Sequence, residues 1–310
     1  EEMSRDKAVH LIGEDIGLYG GCFKVTGDLY AKHGAQMHET PVSEEAFTGL
    51  AVGASLLGLR PVVEIMYGDF STLASDPIIN HAAKIRFMSA GQLSCPMVLR
   101  SPIGSGTGHG AQHTQCLEAM FANIPGLIIV APSCPGDAKA LLKSAIRSNN
   151  PVIYFEHKHL YNNLGPVGDE QYLLPIGKAI TKKRGKDVTI VSYSHAVTTC
   201  LEASVRLSLQ DEIEAEVIDL VTLKPMDTQT ILRSVKKTGR LLVVHDSPEY
   251  GGYGAEVIAC VTSDSEALAG LQATPKRLCG KELPIPFAPE LETEVIPSTE
   301  EVMQAVRSLF

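Results

Sequence analysis

The feature that most constrains this chain is an alternation of short β-branched apolar runs with longer stretches of helical period, broken once. In the first part the expected strands are Val9–Ile12, Arg60–Met66, Met97–Arg100, Leu127–Val130 and Pro151–Phe155, with helices at 46–59, 71–90, 114–124 and 136–148. Runs that are apolar on both faces and separated by helices read as a parallel sheet covered on both sides. Between 161 and 186 the pattern lapses into Gly, Pro, Asn and charge, which reads as a linker. A second alternation follows, with strands at Asp187–Tyr193, Glu216–Leu220 and Leu241–His245 and helices at about 195–209, 227–237, 251–261 and 298–309. The expected fold class is α/β: two doubly wound domains over residues 1–165 and 187–310, joined by a linker at 166–186.

Composition narrows the function classes. With 310 residues and 44% hydrophobic content, the chain can fill two packed cores. A net charge of −9, with no basic run beyond Lys182-Lys183-Arg184-Gly185-Lys186, argues against a nucleic-acid or anionic-membrane partner. The seven cysteines are scattered and never form C-x-x-C, which suits free thiols in a reducing compartment better than a disulfide scaffold or zinc site. No apolar run reaches the roughly 18–20 residues of a membrane span, and the first residues are polar, so a soluble chain is expected.

Four stretches could carry chemistry. In Thr40-Pro41-Val42-Ser43-Glu44-Glu45, a polar turn opens a long apolar segment with two acids at its mouth. By themselves these acids read as helix-start carboxylates, with Thr40 or Ser43 as N-cap, because the first turn exposes unpaired N–H groups. Gly104-Ser105-Gly106-Thr107-Gly108-His109-Gly110-Ala111 meets a loosened dinucleotide fingerprint, but it is not at the first strand and the next strand ends in Ala131-Pro132 rather than an acid. It reads instead as a mobile or close-packed active-site loop. His113 follows at the carboxyl end of a strand, where open α/β sheets bind ligands, and is open to an acid/base or a structural reading. Met66 and Phe70 flank another strand end and, taken alone, read as core more readily than as a stacking platform. Gly49, Gly53 and Gly58 read as points of close helix–sheet packing.

Ordered blocks then point to a family. Gly13-Glu14-Asp15-Ile16-Gly17, Thr40-Pro41-Val42-Ser43-Glu44, Gly58-Leu59-Arg60-Pro61-Val62, Ala111-Gln112-His113-Thr114-Gln115, Pro125-Gly126-Leu127 and Ala145-Ile146-Arg147-Ser148-Asn149-Asn150-Pro151 run in this order through nearly the whole chain. The chain resembles the beta subunits of thiamine-diphosphate-dependent 2-oxo acid dehydrogenases, and among them those acting on pyruvate. The resemblance implies a transketolase-like pyrimidine-binding domain followed by a transketolase C-terminal domain. It also implies an α2β2 heterotetramer whose alpha subunit holds the diphosphate and Mg²⁺. That accounts for the missing Gly-Asp-Gly segment, which Gly136-Asp137-Ala138 only imitates.

By the same resemblance Glu44 bonds the aminopyrimidine ring nitrogen and activates thiamine diphosphate, Phe70 stacks on that ring, Met66 lines its pocket, and His113 faces substrate or an incoming lipoyl arm. The lipoyl group belongs to a dihydrolipoyl acyltransferase partner, which takes up the two-carbon unit. A structural K⁺ would be held by backbone oxygens of Met97, Ala145, Ile146, Ser148 and Asn150, although Ser148 replaces a usual Asp. The short loop Ala35-Gln36-Met37-His38 and the glycine-rich 104–110 loop also depart from the family pattern. Rival readings are a branched-chain 2-oxo acid or acetoin dehydrogenase subunit, a non-catalytic docking subunit, and an NAD-dependent oxidoreductase. The expected compartment is a bacterial cytoplasm, or a mitochondrial matrix or plastid stroma once a presequence is removed.

Overall fold

The computed structural model describes residues 1–169 and 171–310. Its strands are β1 (Val9–Gly13), β2 (Met37–Glu39), β3 (Arg60–Glu64), β4 (Val98–Ile103), β5 (Ile128–Val130) and β6 (Val152–His157). They continue with β7 (Ile180–Lys183), β8 (Val188–Ser192), β9 (Ala215–Asp219), β10 (Thr222–Lys224), β11 (Leu241–Pro248) and β12 (Lys276–Gly280). The first sheet has the order β10-β5-β6-β4-β3-β1-β2 and the second β12-β11-β8-β9-β7. All pairings are parallel except those of the edge strands β10 and β7.

Two layers of helix cover each sheet, as expected for strands buried on both faces; every residue of β4, β8 and β9 is buried. The longer helices are α1 (Glu44–Leu56), α2 (Pro135–Arg147), α3 (Ala196–Asp211), α4 (Thr228–Thr238), α5 (Gly254–Ser263) and α6 (Thr299–Arg307). Local chemistry sets their ends. Asp227 accepts the Thr230 N–H at the start of α4, Gly239 stops it at φ +69°, and Ser298 with Glu301 forms a capping box on α6.

Phe47 and Ala51 of α1 pack on Ile12, Val63 and Leu99, and the same apolar cluster continues through Ile129 and Phe121 into Leu220, Leu223 and Tyr253 of the second alternation. At about 1.5–3 kcal/mol for each buried large side chain, this shared core ties the two domains together far more firmly than a linker would. The edge strand β10 reinforces the tie by pairing Thr222 with Val130 and Lys224 with Ile129.

Several expected elements differ. The stretch read as linker contains β7, whose Ile-Thr-Lys-Lys composition suits a charged sheet edge and carries no alternating signal. The helix expected over 71–90 is a 3₁₀ turn at Gly68–Thr72, a π-helix at Pro77–Ala82 and one α-turn at Ile85–Met88. Pro77 removes a donor mid-segment, and the chain answers by changing its hydrogen-bond pitch. The helix expected over 114–124 shrinks to Glu118–Ala122, because the residues before it follow the glycine loop.

Candidate functional site

The sequence-identified residues Glu44, Met66, Phe70 and His113 follow the carboxyl ends of neighbouring strands, and Glu14 and Lys158 join them. Glu14 follows β1, Glu44 follows β2, Met66 and Phe70 follow β3, His113 lies in the loop after β4, and Lys158 follows β6. Strand order reverses among these elements, with β1 inserted between β2 and β3, the kind of switch point above which open α/β sheets bind ligands.

Glu44 opens α1 and is 6% exposed, whereas Glu45 in the same first turn is exposed. The two acids are therefore not equivalent. Ser43 occupies the N-cap position, but its hydroxyl donates to the Pro41 carbonyl at 2.9 Å and caps nothing; the Thr40 hydroxyl is buried without a partner. No hydrogen bond from the described residues reaches the Glu44 carboxyl. The neighbouring acid Glu14 accepts the Ser43 N–H at 3.3 Å. Burial, and then the charge of Glu44, push the Glu14 carboxyl above its ordinary range.

After β3 and β4 an aromatic cluster forms. The His113 ring meets Tyr67 edge-on at 4.8 Å and Phe70 at 5.2 Å, and Tyr67 also meets Phe70 at 5.8 Å and His109 at 5.5 Å. Met66, Tyr67, Phe70 and His113 are all half-buried, so each presents some surface to an incoming group. Below them Asp69 accepts both the main-chain and side-chain N–H of Gln115, at 3.2 and 2.8 Å.

The glycine loop is close-packed. A Cβ on Gly104 (φ +77°) would lie 1.9 Å from His157 Nε2, and one on Gly106 (φ +103°) 2.5 Å from His159 Nδ1. The Gly106 and Gly108 N–H groups donate to the Glu292 carboxylate at 2.8 and 3.2 Å. The amides that a dinucleotide phosphate would need are thus already taken, and no helix starts before Glu118.

Behind the loop His157, His195 and Asp246 meet. His195 Nδ1 lies 2.9 Å and His157 Nε2 3.3 Å from one Asp246 oxygen, a spacing that metal ligands could adopt. The tautomer decides against that use. His157 Nδ1 accepts the His159 N–H, so the proton of the neutral ring sits on Nε2, facing the carboxylate rather than offering a lone pair. Burial lowers His157 to about 4; burial also opposes charge on His195, but Asp246 outweighs it and raises that imidazole. The cluster is an ion pair of His195 and Asp246 with a neutral His157 against it, spanning the two domains.

At the expected K⁺ position, Arg60 donates to the Ile146 and Ser148 carbonyls at 3.1 and 2.9 Å, the Val152 N–H to Met97 at 2.9 Å and the Ser148 N–H to Ala145 at 3.1 Å. Ser148 Oγ donates to the Asn150 carbonyl at 3.2 Å. A carbonyl keeps a second lone pair, so a monovalent cation fits only beside the guanidinium. The Gly136-Asp137 imitation of a Mg²⁺ motif does not fit: Asp137 is bonded by Lys182 and by Cys134 Sγ.

One expectation is corrected. Gly49 and Gly53 do not pack against the sheet; both are exposed, with nothing within 4 Å of an added Cβ, and Gly58 likewise faces open space. The buried stripe of α1 is Phe47, Thr48, Ala51, Val52 and Ser55, which leaves the glycines on its outer face with Leu50, 60% exposed.

Residues 1–163 match the family described as transketolase, pyrimidine binding domain, and residues 177–302 match transketolase, C-terminal domain. A pyruvate dehydrogenase E1 component subunit beta from Porphyra purpurea is 44% identical, over 100% of this chain and 93% of the relative. A 2-oxoisovalerate dehydrogenase subunit beta from Bacillus subtilis (strain 168) is 42% identical, over 100% and 94%. An acetoin:2,6-dichlorophenolindophenol oxidoreductase subunit beta from Cupriavidus necator is 42% identical, over 99% and 93%. Among solved structures, a split-gene transketolase in an inactive beta4 tetramer superposes with a TM-score of 0.81 at 19% identity, covering 99% of this chain and 93% of that one, a likeness of fold. With both transketolase domains matched in order and full-length relatives above 40% identity, the chain belongs to the transketolase-like family of 2-oxo acid dehydrogenase beta subunits that includes the pyruvate dehydrogenase E1 beta subunits.

Proposed function

We propose that this chain is the beta subunit of a pyruvate dehydrogenase decarboxylating component, active only with an alpha subunit in an α2β2 assembly. The observation that carries the reading is Glu44: a buried carboxyl with no donor among the described residues, at the strand ends of the same sheet that carries the half-buried Met66, Phe70 and His113. Such a group fits the ring nitrogen of an aminopyrimidine, and an exposed helix-cap acid would not need burial. Pyruvate dehydrogenase subunits among the relatives support the substrate, at 41–44% identity beside 42% for the named 2-oxoisovalerate and acetoin enzymes.

When bound, thiamine diphosphate supplies the nucleophilic carbon and the electron sink for loss of carbon dioxide. Glu44 would hold a proton at the aminopyrimidine nitrogen when the cofactor is bound. Phe70 stacks on that ring, Met66 lines its pocket, and His113 faces the reacting 2-oxo acid or the lipoyl group of the acyltransferase partner. The alpha subunit holds Mg²⁺ and the diphosphate, consistent with the engagement of Asp137 here. A K⁺ beside Arg60, on the free lone pairs of Met97, Ala145, Ile146, Ser148 and Asn150, would pin the end of α2 to β4. Seven free thiols suit a reducing compartment, for which we propose a bacterial cytoplasm.

The test is kcat/KM of the reconstituted tetramer, with thiamine diphosphate and Mg²⁺, toward pyruvate, 2-oxoisovalerate and acetoin. The highest value is expected for pyruvate. A higher value for either rival reassigns the substrate, and no turnover with any of the three favours a docking role.

A further inference from the structure

We propose that Lys158 is a positioning residue for this reaction, fixing the His113 imidazole by holding its main-chain carbonyl while the ammonium rests on the Tyr67 ring. The inference rests on the reading of His113 as the group that faces substrate.

Lys158 begins the short turn after β6 and is 2% exposed. Its Nζ donates to the His113 carbonyl and stands 5.3 Å from the Tyr67 ring centroid. Tyr67 in turn meets the His113 ring at 4.8 Å. One side chain therefore grips His113 twice, through its backbone and through the ring against which its imidazole leans.

The rest of the loop makes this grip matter. Thr114 Oγ1 donates to the Gly110 carbonyl at 2.6 Å, closing the turn that contains His113, and Gln115 beyond it is fastened to Asp69. Among the described residues, the hydrogen bonds of His113 itself are its N–H bond to Gly110, at 3.2 Å, and the Lys158 contact. Without the lysine, the peptide that follows His113 loses the partner of its carbonyl and can rotate, swinging the imidazole.

Burial argues against a passive role. An ammonium out of water is costly, and a bland space-filler here would be Met or Leu. The ionisable groups facing Lys158 come from every surrounding element: Asp69 and Tyr67 after β3, Cys116, His109 and His113 in the loop after β4, Glu292 from the C-terminal segment and Cys22 from the loop after β1. Burial lowers the lysine to about 8, and Asp69, Cys116 and Glu292 push the other way. The clamp is charged at neutral pH and loses its charge just above it. The same cation, after burial, lowers His109.

Lys158 does not bind the substrate carboxylate, because it is covered by the loop it holds. Its effect is on geometry, where a misplacement of about 1 Å costs on the order of 10²-fold in rate.

The experiment is a double-mutant cycle in the reconstituted tetramer, following pyruvate-dependent reduction of 2,6-dichlorophenolindophenol from pH 6 to 10. Lys158→Met is expected to lower kcat by on the order of 10²-fold with a much smaller change in KM. In a His113→Ala background the same substitution should add almost nothing. Lys158→Arg should retain most of the activity and move the alkaline fall of kcat upward, since a guanidinium stays protonated. Full additivity of the two substitutions, or an alkaline limb unmoved by Lys158→Arg, overturns the proposal while leaving His113 in place. Undiminished activity of His113→Ala overturns the reading of His113 and this inference with it.

Discussion

The carboxylate of Glu292 accepts the Gly106 N–H at 2.8 Å across 186 residues of sequence, so the last part of the chain sets the shape of a loop in the first domain. Gly108 donates to the other oxygen at 3.2 Å, and Phe287 lies against Gly110. Glu292→Gln keeps the size but replaces a charged acceptor of two N–H groups, where such bonds are worth about 1.5–3 kcal/mol each. The expected result is faster proteolytic nicking within 104–112 and a fall in kcat, while the melting temperature drops only slightly. Equal nicking rates in the two proteins would show that the loop holds its shape unaided.

Glu44→Gln separates catalysis from stability. If Glu44 moves a proton at the cofactor, kcat of the tetramer should fall by roughly 10²–10⁴-fold. The fold should not suffer, because Glu44 makes no hydrogen bond among the described residues and its charge repels Glu14. The substitution relieves that repulsion, so the melting temperature of the chain should hold or rise. A parallel loss of stability and activity would mark Glu44 as a structural acid.

How much of this was legible in the sequence follows from the range of each interaction. The alternation exposed both sheets, since parallel strands buried on two faces are continuous apolar runs, as in Val98–Ile103. Glu44 and Glu45 were locally indistinguishable, both being first-turn acids; the ordered blocks separated them and burial agrees. Lys158 left no signal, because Glu156-His157-Lys158-His159 reads as a polar turn and its meaning lies in contacts with residues 67 and 113. Tyr67 was hidden likewise beside Phe70. The helix glycines were misassigned because small residues permit close approach to any neighbour, and the pattern does not say whether that neighbour is a sheet or another chain.

The domain junction should carry a pH signature through His195. Its pKa is raised in the folded protein, since Asp246 outweighs burial. A raised base stabilises fully below its unfolded value of about 6.5 and loses that contribution as pH climbs through the folded value. The melting-temperature gap between the native chain and His195→Gln should therefore be widest below about pH 6.5 and close as pH rises through the raised folded value. The same window lies above the range in which Asp246, held low against burial by His195 and His157, takes up a proton. A gap independent of pH between 5.5 and 9 would contradict the ion pair.

The outer face of α1 offers the sharpest separation of chain stability from assembly. Gly49 and Gly53 lie one helical turn apart, exposed, with open space at each Cβ position. In the isolated chain Gly→Ala there should stabilise by about 0.5–1 kcal/mol per site, because the helix loses a flexible residue and nothing is struck. If the face is where another subunit's backbone comes close, the same methyl groups stand between the two chains. Gly49→Ala with Gly53→Ala should then raise the melting temperature of the chain alone while lowering the yield of α2β2 tetramer on sizing chromatography. Gly53→Leu should block the tetramer outright. Because a misfolded subunit would lose both properties together, the opposite movement of the two readouts identifies the face as an assembly surface, and a stabilised chain that still forms normal tetramer assigns it to solvent.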